Sequence, residues 1–174
     1  MRRFLALALL LSSCTIPGRQ AAPAARPSGT GTIVRPVDGD TVVVNLDGVE
    51  ERVRLIGIDT PESVDPNRPV ECYGPEAKER AAALLPIGTV VRLERDVEAR
   101  DKYGRLLAYV YRAQDDVLVN LVLVQEGYAE SFPYPPNTAL QGELDRAEAE
   151  ARAGGRGLWP SCGSTDVPIG PAPG

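Results

Sequence analysis

Two short stretches concentrate oxygen donors, Asp38-Gly39-Asp40 and Asp59-Thr60-Pro61-Glu62. Taken singly, the first reads as a hairpin turn and the second as a strand end entering a loop. Both lie at the ends of β-branched runs, and an antiparallel meander can bring such ends together. Asp40, Asp59 and Glu62 are then expected to converge. Clustered carboxylates repel one another unless a cation sits among them. Oxygen donors without His or Cys favour Ca²⁺ or Mg²⁺, and an irregular set of carboxylates and carbonyls favours Ca²⁺. Arg54 alternates with Val53 and Leu55 and so points away from their apolar face. Arg105 follows the turn Asp101-Lys102-Tyr103-Gly104. The plainer readings are a solvated strand charge for Arg54, as for Arg52, and a surface ion pair of little worth for Arg105. If both face the carboxylates, the set holds a cation, two guanidinium forks and a carboxylate. That set suits phosphodiester hydrolysis, in which positive charge steadies the phosphoryl oxygens and the carboxylate orients or deprotonates water.

Composition sharpens this by exclusion. The 174-residue chain contains no histidine. Ser-His-Asp and Cys-His catalysis, an HExxH zinc site and any imidazole acid or base are therefore ruled out. The charge is net acidic, 19 basic against 24 acidic residues, and the only lysines are Lys78 and Lys102. This argues against bulk electrostatic adhesion to nucleic acid but not against a local arginine site, since guanidinium grips phosphate bidentately.

The elements that must position these residues are legible in outline. Thr32–Val37, Thr41–Leu46 and Glu51–Ile58, separated by Asp38-Gly39 and Asp47-Gly48, predict a three-stranded meander. Ser63–Tyr73 reads as a loop. Gly74-Pro75 opens a helix whose inner face is Ala77, Ala81, Leu84 and Leu85. Thr89–Arg95 and Leu106–Arg112 predict two more strands, and Val119–Gln125 a short buried helix. A last helix is expected from Thr138, with Thr138 and Gln141 as a capping box and Leu140, Leu144, Ala147 and Ala151 as its stripe. The fold class is α+β, mainly β: a five-stranded Greek-key barrel of the OB type with about three α-helices. An open α+β sheet is the alternative.

The ends read as targeting and tether. Residues 1–13 begin with Arg2 and Arg3 and continue into an apolar run, Phe4–Leu11, well short of the ~20 residues a membrane span needs. They read as a signal peptide. Leu11-Ser12-Ser13-Cys14 is similar to a bacterial lipobox, with Cys14 as the lipidated residue; an ordinary signal peptide is the other reading. Residues 14–31 then form a lipid-anchor cysteine and disordered linker, 32–162 the folded domain, and 163–174 a disordered tail. In an exported protein Cys72 and Cys162 suggest a disulfide, with two free thiols as the alternative.

Taken together these residues resemble the staphylococcal nuclease (thermonuclease) family. The motifs are VDGDT (Val37–Thr41), RLIGIDTPE (Arg54–Glu62), YGPEA (Tyr73–Ala77), DKYGRLLAYVY (Asp101–Tyr111), VN (Val119-Asn120) and GLW (Gly157–Trp159), in the family's order and approximate spacing. The resemblance implies Ca²⁺-dependent hydrolysis of DNA and RNA that leaves 3′-phosphate ends. It implies Asp40, Asp59 and the Thr60 carbonyl as metal ligands, with Asp38 nearby. Glu62 would handle the attacking water, and Arg54 and Arg105 would bind the phosphate. Lys102, Tyr103 and Tyr134 would contact the nucleotide. The expected form is a monomer, exported to the cell envelope or secreted, touching the membrane only through Cys14. The chain departs from the family prototype at Phe132, which replaces a second pocket tyrosine, and in Ser63–Tyr73, where Arg68 is the only basic residue. Weaker substrate binding than in the strongly basic prototype is expected. A non-catalytic nuclease-like module, or an envelope OB domain binding protein or glycan, is the rival.

Overall fold

The computed structural model describes residues 28–169 except 65 and 67. Residues 1–27, which include Cys14 and the expected signal peptide, and 170–174 lie outside the described residues. Five strands close into a barrel in the order β1-β2-β3-β6-β5: β1 Ser28–Pro36, β2 Thr41–Leu46, β3 Val49–Leu55, β5 Val90–Glu94 and β6 Leu106–Arg112. The β3–β6 contact is parallel and the other four are antiparallel. A separate ribbon pairs β4, Ile58–Asp59, with β7, Glu130–Ser131. Four α-helices stand among the described residues: α1 Gly74–Leu84, α2 Val119–Gln125, α3 Gln141–Ala153 and α4 Leu158–Ser161.

The β-branched alternation explains the barrel. Val42, Val44, Val53, Leu55, Val91, Leu93 and Val110 are buried in one cluster with Leu84, Leu123 and Leu144 from α1, α2 and α3. Each such side chain contributes about 1.5–3 kcal/mol by leaving water. Closure removes the sheet's exposed edges. Asn120, fully buried on α2, accepts the Val110 N–H at 2.9 Å and donates to the Ile56 carbonyl at 2.9 Å. It ties α2 to the barrel wall where β3 ends.

The structure differs from the sequence reading at four places. First, β1 begins at Ser28, four residues before the expected Thr32, and Ser28–Thr32 pairs with Val90–Glu94. Gly29 and Gly31 carry no side chains to show alternation, and only barrel closure supplies their partner. Second, the third run is interrupted: β3 stops at Leu55, Gly57 adopts a positive φ of 79°, and Ile58–Asp59 leaves the barrel to pair with β7. Third, α3 starts at Gln141 and the capping box is not made. Gln141 Nε2 instead donates to Ser131 Oγ at 2.6 Å and Asp145 Oδ1 at 2.8 Å. Fourth, residues 163–169 of the expected tail lie against the domain: Thr165 is buried, and Cys72 N–H donates to the Val167 carbonyl at 2.6 Å. The expected disulfide joins Cys72 to Cys162, with Cα atoms 5.9 Å apart.

Candidate active site

The carboxylate cleft is assembled by one turn and two strand pairings. The turn after β1 is closed by Val37 and Asp38 N–H groups donating to the Thr41 carbonyl. It carries Asp38 and Asp40. Gly39 is needed there: a Cβ would stand 2.6 Å from Thr60 Oγ1, so the turn rests directly on the segment after β4. The register opposes Thr41 to Arg54, which sets Arg54 beside Asp40. Pairing of Asp59 with Glu130 fixes the third corner.

At the centre lies Arg54, only 7% exposed. Its Nη1 donates to the Leu55 carbonyl at 2.7 Å, which aims the fork. Its Nη2 stands 3.1 Å from Asp40 Oδ2 and 2.9 Å from Asp59 Oδ1. Asp40 also accepts from Thr41 Oγ1 at 3.0 Å and Thr60 Oγ1 at 3.2 Å. Glu62 Oε1 accepts two backbone N–H groups, from Ser63 and Val64, each at 2.8 Å, and Oε2 lies 3.8 Å from Arg68 Nη1. Ser63 Oγ donates to Asp38 Oδ1 at 2.7 Å, tying the Glu62 loop to the first turn. Arg105 is held by Asp101, whose Oδ2 accepts from Nε at 2.6 Å and whose Oδ1 accepts the Arg105 and Tyr103 N–H groups at 2.9 Å each.

Asp38, Asp40, Arg54, Asp59, Thr60, Glu62 and Arg105 all line one cleft of about 530 Å³. The carboxylates feel the crowding. Desolvation pushes Asp59 up to about 7; Arg54 opposes this, while Asp40, Asp166 and Glu71 add to it. Desolvation likewise pushes Asp38 up to about 6, against hydrogen bonds from Ser63 and Gly39 and with help from Asp40 and Glu62. Asp101 runs the other way: burial raises its carboxyl, but Arg105 holds it below the usual range.

The donor chemistry fits a hard cation. Asp40 and Asp59 reach the same guanidinium nitrogen, so their oxygens already converge on one positive charge. Among the described residues no group of three or more carboxylates, cysteines or histidines is placed closely enough to hold a metal ion by itself. Carbonyl and water oxygens would therefore have to complete a cation's shell.

Tyr103 is 73% exposed and lines an adjoining groove of about 580 Å³ with Arg52, Arg68 and Arg105. Lys102 Nζ lies 4.9 Å from the Tyr103 ring centroid. Tyr134 is not among the residues lining either space; it packs beside Ile56, Leu107 and Tyr109. Two participants went unread in the sequence. Arg52, taken as a solvated outer-face charge, shares its strand face with Arg54 and lines both cleft and groove; the two-residue spacing was the available signal. Glu71, buried at 5%, accepts the Glu62 N–H at 2.7 Å. Nothing in a proline-rich loop marks it.

The model of one protein family, described as "Staphylococcal nuclease homologue", matches residues 52–161. The chain is 44% identical over 127 residues to the thermonuclease of Staphylococcus intermedius, covering 73% of this chain and 74% of that one. It is 39% identical over 130 residues to the thermonuclease of Staphylococcus hyicus, covering 75% of each. It is 40% identical over 134 residues to the endonuclease YncB of Bacillus subtilis, covering 76% of this chain and 62% of that one. Barrel, cleft and relatives lead to one conclusion: this chain belongs to the staphylococcal nuclease family.

Proposed function

We propose that this protein is a Ca²⁺-dependent nuclease that hydrolyses phosphodiester bonds of DNA and RNA and leaves 3′-phosphate ends. It acts as a monomer, exported and held at the envelope by a lipid on Cys14. The observation that carries the reading is the position of Arg54 Nη2 between Asp40 and Asp59, with Glu62 and Arg105 on the walls of the same cleft. Asp40, Asp59 and the Thr60 carbonyl would hold the cation. When bound it would draw charge from a phosphoryl oxygen.

The chain's own residues do the rest. Arg54 and Arg105 bind the non-bridging oxygens of the scissile phosphate and steady the negative charge that grows in the transition state. Fixed donors of this kind are worth about 10²–10³-fold in rate each. Glu62, fixed by the Ser63 and Val64 N–H groups, orients a water and takes its proton as the oxygen attacks phosphorus. The bond from phosphorus to the 5′-oxygen breaks, that oxygen leaves with the bonding pair and takes a proton from solvent to become a 5′-hydroxyl, and the phosphate stays on the 3′ side. Asp101 holds Arg105 in place through the 2.6 Å bond to its Nε.

The test is cleavage of single- and double-stranded DNA and of RNA by the purified protein in Ca²⁺, Mg²⁺ and EDTA, beside Glu62→Gln, with end-group analysis of the products. Cleavage in Ca²⁺ that EDTA and Glu62→Gln both abolish is expected, with 3′-phosphate ends. No cleavage by folded protein at low salt and mildly alkaline pH would return the non-catalytic binding module.

A further inference from the structure

The C-terminal residues 163–169 are joined to the loop that carries Glu62. Val70–Cys72 and Val167–Ile169 form a short antiparallel pairing, with Glu71 opposite Pro168. Cys72 N–H donates to the Val167 carbonyl at 2.6 Å, and Ile169 N–H to the Val70 carbonyl at 2.8 Å. The Cys72–Cys162 disulfide, spanning 90 residues of sequence, anchors both partners of that pairing to α4. Upstream, Thr165 N–H donates to Glu130 Oε1 at 3.0 Å, and Glu130 is the residue paired with Asp59. The segment therefore backs both the Asp59 and the Glu62 walls of the cleft.

Glu71 is the link. Its Oε2 accepts the Glu62 N–H at 2.7 Å, while its own N–H donates to the Glu62 carbonyl at 2.8 Å. Its Oε1 holds Arg68 Nη2 at 2.7 Å, and Arg68 faces Glu62 Oε2 at 3.8 Å. Gly74, two residues past Cys72, lies so close that a Cβ would stand 2.5 Å from the Glu62 carbonyl oxygen. Backbone and side chain of Glu62 are thus fixed from behind by a unit that the disulfide and the C-terminal segment hold together.

We infer that Glu71 is a positioning residue for Glu62, and that the disulfide-tethered C-terminal segment keeps Glu71 in register, so that breaking the disulfide lowers turnover more than substrate binding. This rests on the nuclease reading. The physical reason is that a base displaced by about 1 Å can lose on the order of a hundredfold in rate while the phosphate-binding arginines are untouched.

The test uses the full chain, oxidised and reduced, with Cys72→Ser/Cys162→Ser, a deletion of residues 164–174, Glu71→Ala and Glu71→Gln. Each is assayed below its own thermal unfolding, and amide exchange of Glu62 and Ser63 is followed in parallel. On reduction, on deletion and in Glu71→Ala, kcat is expected to fall roughly ten- to a hundredfold with KM within about twofold. The Glu62 and Ser63 amides should exchange faster. Glu71→Gln, which keeps an acceptor for the Glu62 N–H, should recover most of the loss. Unchanged kcat in folded Glu71→Ala and reduced protein, or unchanged exchange at Glu62, overturns the inference. Exchange needs no activity, so a wild-type protein that cleaves nothing would sink the nuclease reading while leaving this one to be judged on its own.

Discussion

Arg54 Nη2 bridges Asp40 and Asp59 at 3.1 and 2.9 Å, and in the proposed function the same guanidinium would also meet the scissile phosphate. Burial in the cleft raises Asp59 to about 7 from an ordinary 3.8, against the pull of Arg54. The sign of the consequence is fixed by linkage. Between those values the unfolded chain has released the proton that the folded chain keeps, so the unfolded state binds fewer protons and stability falls as pH rises. Asp38, raised to about 6, adds in the same direction. Urea unfolding in EDTA should show stability declining from pH 4 to pH 7, and Asp59→Asn should flatten that slope. A rise across the window would contradict the assignment. Arg52 makes a second residue-scale case, because it lines cleft and groove without a carboxylate partner among the described residues. Arg52→Ala should raise KM for DNA, leave kcat alone and lower the salt slope of binding by about 0.7–0.9.

Elements matter here for where they stop. Had β3 continued past Leu55, Asp59 would stay in the barrel wall; the turn at Gly57 and the pairing with β7 carry it to the cleft. Asn120 secures that turn by holding the Ile56 carbonyl and the Val110 N–H. Asn120→Ala would leave both partners unmade in the core, at about 1–3 kcal/mol each. Chemical denaturation should show a loss of about 2–6 kcal/mol for the two together. Activity at a temperature where the variant is folded should fall by much less than it does in Glu62→Gln.

For the whole molecule, the acidic balance of 19 basic to 24 acidic residues acts against the polyanionic substrate. The arginines of the cleft are local exceptions, and Arg68, Arg100 and Arg105 are already paired with Glu71, Glu51 and Asp101. Binding to long DNA in EDTA at physiological salt should fall at the weak end of non-specific association, about 10⁻⁴ M. Fluorescence anisotropy reporting sub-micromolar affinity there would contradict this.

Alternation and turn chemistry are properties of neighbouring residues, and those the sequence determined alone. The five barrel strands, the helices at Gly74 and Val119, and the alternation that turns Arg54 away from Val53 and Leu55 are all local periodicities. The family resemblance added the ordered motifs that pick Asp40, Asp59, Glu62 and Arg105 out of many charges. What only the tertiary structure decided depends on partners far away in the chain. Ser28–Gly31 is a strand because β5 closes the barrel on it. Gln141 gives up its cap to bond Ser131. Thr165–Ile169 is ordered against Glu130 and Val70–Cys72. Glu71 serves Glu62 through a hydrogen bond across a loop. None of these has a local signature, because each is settled by which distant donor or acceptor the closed barrel brings within reach.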